Sequence, residues 1–220
     1  GDSNTEQTFH TRGHMNWVSL LDEALFEAHG AAAATVVNAG RCGGTYRTDR
    51  QRIDRDVLRY RPDLVIVAFG FNDCGRGVSE LASFRDEVRR TIARIREADA
   101  EVLVRTFQPK VAPPGATPAG CEPGGCADEP GRAEAEYAAA LVALAGELGC
   151  PVVDHYTLWR DTVFSVRHAV ANPCALWPRM SDCSHAGALG HLVFYRELAP
   201  LFGLPTRFAW DAPETAGHTD

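Results

Sequence analysis

A chain of 220 residues with 45% hydrophobic and 23% charged side chains suits one α/β domain with a sizeable core. Its net charge of -7 argues against a nucleic-acid partner, which calls for a basic stripe. No apolar run approaches the roughly 20 residues of a spanning helix, which excludes a helical membrane anchor within this sequence.

The chain opens on Gly1-Asp2-Ser3-Asn4-Thr5, a turn-forming stretch that carries a serine with no strand before it. Trp17, Val18, Leu21, Leu25 and Phe26 then recur at helical spacing, and Gly30 is a natural stop. "ATVVNAG" (34–40) reads as a short strand, and a polar helix through Ile53, Val57 and Leu58 must end before Pro62. "LVIVAF" (64–69) is a continuous apolar run with β-branched residues and predicts a central parallel strand. A long amphipathic helix follows, with Leu81, Phe84, Val88, Ile92 and Ile95 on one face. "EVLVRTF" is the next strand, and residues 108–131, rich in Pro and Gly, read as an excursion loop. A helix over 132–149, the strand "PVVD" and a final helix from about Gly187 to Phe202 complete the pattern.

Strands that alternate with helices at this rhythm predict a three-layer α/β/α sandwich around a central parallel sheet. Residues 1–205 form one domain on this reading and 206–220 a tail. Ligands of such sheets bind beyond the carboxyl ends of the strands, so the chemistry belongs in strand-exit turns. Three such turns hold unusual residues: the Ser3 turn, "NAGRCGGT" (38–45) and "GFND" (70–73). A fourth segment, "SDCSHAGALGH" (181–191), precedes the last helix.

These residue types are those that ester hydrolysis requires. A serine hydroxyl is a weak nucleophile until a histidine takes its proton. The histidine needs a carboxylate to fix its tautomer, and Asp182 and His185 are three apart. The developing oxyanion needs preorganised N–H donors, which glycine turns and the Asn72 amide can supply.

The four segments resemble the four signature blocks of the SGNH (GDSL-type) hydrolases, in the family's order from residue 1 to 191. "GDSNT" is similar to the serine block and "NAGRCGG" to the glycine block. "GFND" and "DCSH" match Gly-x-Asn-Asp and Asp-x-x-His. The resemblance implies a flavodoxin-like SGNH fold with Ser3, His185 and Asp182 as the catalytic triad. It also implies an oxyanion hole built from the backbone N–H groups of Ser3 and Gly43 and the side chain of Asn72. Gly44 is the alternative to Gly43, since both glycines permit unusual backbone angles. Members of the family place a buried strand immediately before Gly-Asp-Ser, so the resemblance implies that a first strand is missing here and that the natural protein is longer.

The expected activity is a serine esterase, with removal of short acyl groups such as acetyl from a carbohydrate or other polar carrier as the leading substrate class. An acyltransferase using the same site and a non-catalytic glycan-binding domain of the same fold are the alternatives. No metal or organic cofactor is implied. His10 and His14, four apart, would suit a metal on a helix, but Thr11, Arg12 and Gly13 favour a loop that lines the substrate cleft. Asp154 and His155 are neighbours whose side chains point apart on an extended segment. Trp177 reads as a packed aromatic or a sugar platform. Of seven cysteines, Cys121 with Cys126 and Cys174 with Cys183 are spaced for short disulfides, and the pairing stays open.

Overall fold

The computed structural model of the chain describes residues 1–6, 9–31, 33–110, 132–163 and 184–208. Among the described residues three parallel strands form the sheet: β1 (Leu64–Val67), β2 (Glu101–Arg105) and β3 (Val152–Val153), in the order β1-β2-β3. Leu64 pairs with Glu101 and Val67 with Val104, while Val104 and Arg105 pair with Val152 and Val153. Each crossover is a helix: α5 (Leu81–Arg96) joins β1 to β2, and α6 (Arg132–Glu147) precedes β3.

Side chains alternate across the strands, and the two faces build separate cores. Val65, Val67, Val102 and Val104 meet Phe84, Val88, Ile92, Ile95, Tyr137, Leu141 and Leu144 from α5 and α6. Leu64, Ile66 and Leu103 meet α2 (Trp17–His29) and α8 (Ala188–Leu198) through Trp17, Val18, Phe194 and Leu198. The expected three layers are therefore present. Asn16 caps α2 by accepting from the Val18 and Ser19 N–H groups, and Gly30 ends the helix at φ 82°. Phe26, counted above with the apolar stripe of α2, is exposed instead. Short helices fill in described connections: α1 (Ser3–Glu6), α3 (Tyr46–Asp49), α4 (Ile53–Asp56) and α7 (His155–Leu158). A single polar helix after residue 45 is thus replaced by two short ones and a 3-10 turn at Leu58–Tyr60. Packing continues past residue 205, where Phe208 is buried against Tyr195.

Two expectations are corrected together. Among the described residues, 34–40 have no ladder partner, so "ATVVNAG" is not a strand there, and β1 is an edge rather than the centre of the described sheet. A slot separates the two. A cavity of about 730 Å³ is walled on one side by residues 33–40 and on the other by Leu64, Val65, Ile66 and Val67. Val18, Leu21 and Leu25 line it from the core on one side of the sheet, Ile53, Val57 and Ile95 from the core on the other, and Gly1 is also in its lining. A strand needs a neighbour to hydrogen-bond, and neither wall has one across this gap. Among the described residues, no helix is long and apolar enough to cross a membrane.

Candidate active site

The site lies at the carboxyl edge of the sheet, where Ser3 opens α1. The Asp2 carbonyl accepts from the Thr5 and Glu6 N–H groups, and the Asp2 carboxylate accepts from the Asn4 N–H at 2.9 Å. These bonds close the turn and leave the Ser3 N–H without an acceptor among the described residues. Ser3 Oγ lies 3.0 Å from His185 Nε2, across 182 positions of sequence.

Bonds on both sides of His185 account for its placement. Gln108 Nε2 donates to the Ser184 carbonyl at 2.7 Å, and the Ala186 N–H donates to Asn4 Oδ1 at 3.0 Å. The residue after the serine therefore holds the loop that bears the histidine. Thr5 repeats the device: its carbonyl accepts from Asn16 Nδ2 at 3.0 Å and Asn38 Nδ2 at 2.7 Å. That joins the serine turn to the start of α2 and to the glycine loop.

The glycine loop lies against α1 at a distance only glycine permits. A Cβ on Gly40 would sit 2.5 Å from the Glu6 nitrogen. The Arg41 N–H donates to the Gly1 carbonyl at 2.8 Å, and the Gly44 N–H is taken by the Arg41 carbonyl at 2.9 Å. Gly43, at φ +71°, is exposed, and its N–H has no acceptor among the described residues. Asn72 Nδ2 donates one hydrogen to the Gly44 carbonyl at 3.0 Å, which leaves the other for a ligand. Asp182 lies outside the described residues, as do Trp177, Cys121, Cys126, Cys174 and Cys183. Cys42, Cys74 and Cys150 form no disulfide among the described residues.

Asp73 ties the two remaining loops together. Its carboxylate accepts from the Gly70 and Tyr46 N–H groups, both at 3.1 Å. Burial pushes its carboxyl up to about 7, against the pull of those two N–H groups. A raised folded value means that Asp73 contributes most stability below its ordinary 3.8 and loses that contribution as pH rises through about 7. Asp73→Asn is expected to remove this slope. Urea midpoints from pH 4 to 8 would test it, and parallel profiles for parent and variant would exclude Asp73 as its source.

Several supporting residues escaped the sequence reading. Arg105 is buried at the end of β2, its guanidinium 4.2 Å from the Phe194 ring centroid and 5.0 Å from that of Trp17. Burial lowers its pKa to about 10, and Asp2 opposes that, so the group stays cationic beside the serine turn. His191 accepts from the Trp17 N–H through Nδ1 at 3.2 Å. Burial first, then Arg105 and His10, hold it down to about 3, so it stays neutral and able to accept. Asn4 and Gln108 left no signal, because their work is to hold backbone groups of distant loops. His155 is buried against Phe194, and Asp154 instead caps α7 and accepts from Thr106 Oγ1 at 2.9 Å. Among the described residues there is no cluster of three or more metal-ligating side chains.

Solved structures share this fold. An acetylxylan esterase from Geobacillus stearothermophilus is 19% identical at TM-score 0.68, with 95% of this chain and 94% of that one covered. A further acetyl xylan esterase is 19% identical at TM-score 0.69 over 91% and 96% of the two chains. An α/β hydrolase enzyme from the metagenome of Lake Arreo, Spain, is 20% identical at TM-score 0.67 over 92% of each. A search of curated proteins gave no match. The model of the GDSL-like Lipase/Acylhydrolase family matches residues 1–191, the span that contains all four blocks, and the chain belongs to that family as a carboxylic ester hydrolase.

Proposed function

We propose that this protein is a serine esterase that removes short acyl groups, acetyl foremost, from a carbohydrate by an acyl-enzyme mechanism. Ser3 Oγ attacks the ester carbonyl while His185 Nε2 takes its proton. Asp182 accepts from the other ring nitrogen of His185, holds its tautomer and balances its positive form. The backbone N–H groups of Ser3 and Gly43 and the second hydrogen of Asn72 Nδ2 hold the oxyanion. His185 then protonates the departing alcohol and activates the water that releases the acyl group.

The observation that carries this reading is the 3.0 Å contact between Ser3 Oγ and His185 Nε2. For the substrate class, the support is the shared fold with structures named as acetylxylan esterases. Turnover of p-nitrophenyl acetate, followed by acetate release from acetylated xylo-oligosaccharides, tests both parts separately. Hydrolysis of the first without the second keeps the esterase and discards the carbohydrate. Asn72→Ala is expected to lower kcat by about 10²-fold, the usual cost of one oxyanion donor. An unchanged kcat would remove Asn72 from the oxyanion hole.

A further inference from the structure

A second imidazole lies flat on the one that faces the serine. The rings of His10 and His185 are 3.8 Å apart between centroids and within 3° of parallel. Phe9 meets the other histidine of this pair edge-on, 5.3 Å from the His10 ring at 85°. The turn that carries His10 is closed by the Arg12 N–H on the Phe9 carbonyl at 3.0 Å and the His14 N–H on the Thr11 carbonyl at 3.1 Å. Thr11 is buried, which seats that turn against the body of the protein.

The bonds through Ser184 and Ala186 fix the backbone at His185, Ser3 Oγ meets its ring at Nε2, and His10 covers one face of that ring. Rotation of an imidazole about its Cβ–Cγ bond is broad and roughly two-fold, and a ring stacked flat on its face narrows that rotation. We infer that His10 is a positioning residue, whose ring keeps the His185 imidazole in the plane that aims Nε2 at Ser3 Oγ. Its π face also lies where positive charge appears on His185 when the serine proton arrives. The spacing of His10 and His14 thus reflects a turn that delivers one ring to another. This inference rests on the reading of Ser3 and His185 as nucleophile and base.

The test compares His10→Ala with His10→Phe, which keeps a flat ring without the nitrogens. His10→Ala is expected to lower kcat for p-nitrophenyl acetate by about tenfold with KM within about twofold, since a misaimed base costs rate rather than binding. His10→Phe is expected to recover kcat to within about threefold of the parent. A fluorophosphonate probe reads serine activation directly, and its labelling rate at Ser3 should follow the same order. Thermal melts of both variants separate loss of aim from loss of fold. Equal labelling rates for parent and His10→Ala would overturn the inference while the esterase reading stands. Phe as slow as Ala, with both folded, would also overturn it. A parent that the probe does not label at Ser3 would sink the esterase reading and this inference together.

Discussion

Ser3→Ala is expected to reduce ester turnover by roughly 10⁴- to 10⁶-fold while leaving the fold intact. On the proposed mechanism the hydroxyl supplies the electron pair that attacks the carbonyl, and it lies 3.0 Å from His185 Nε2. Its removal costs little structure. The turn is held by Asp2 and by the backbone of α1, and the His185 loop by Asn4 and Gln108. His185→Ala should cost about as much as Ser3→Ala, and the double variant little more, because a nucleophile without its base and a base without its nucleophile fail alike. Residual turnover in all three would come from the oxyanion donors and substrate binding. Steady-state hydrolysis of p-nitrophenyl acetate decides the matter. Full activity in Ser3→Ala would show that the nucleophile lies elsewhere, and additive losses would show that the two side chains do not act as a unit.

Much of this arrangement was legible in the sequence because a parallel sheet imposes it. Asn72 follows β1 at the edge where a parallel sheet gathers its ligands. Ser3 and Gly43 follow no described strand and are tied there by the Arg41 N–H on the Gly1 carbonyl and the Asn72 amide on the Gly44 carbonyl. The Asp-x-x-His spacing identified His185 without any knowledge of its distance from Ser3. What stayed hidden is of another kind. Asn4 and Gln108 act through single bonds to loops far away in sequence, and polar residues beside a turn have many other uses. Arg105 read as one residue of a strand, yet its burial between two aromatic rings is a property of three elements together. "ATVVNAG" misled for the opposite reason. Its β-branched residues fit a pleated surface, but strand propensity cannot supply the neighbour that makes a ladder.

The slot between residues 34–40 and β1 is lined by apolar side chains from both cores. An apolar strand of about five residues, the usual strand length, joined ahead of Gly1 is expected to enter it. Gly1 lines the slot and is tied to the glycine loop by the Arg41 N–H, so the added residues would enter with their carboxyl end at the serine turn. The walls suit a strand buried on both faces, since Val18, Leu21 and Leu25 lie on one side and Ile53, Val57 and Ile95 on the other. Each buried Val, Ile or Leu contributes about 2 kcal/mol, the walls lose water as well, and ordering costs roughly 1.5 kcal/mol per residue. The difference is a gain of about 3 kcal/mol, or roughly 6 to 12 °C in Tm for a chain of this size. Calorimetry of the apolar graft beside an equally long Gly/Ser graft would measure it. A larger Tm only for the apolar graft would place a strand in the slot. Equal melting of the two would mean that the cavity does not accept one, and that residues 34–40 hold their course without a partner.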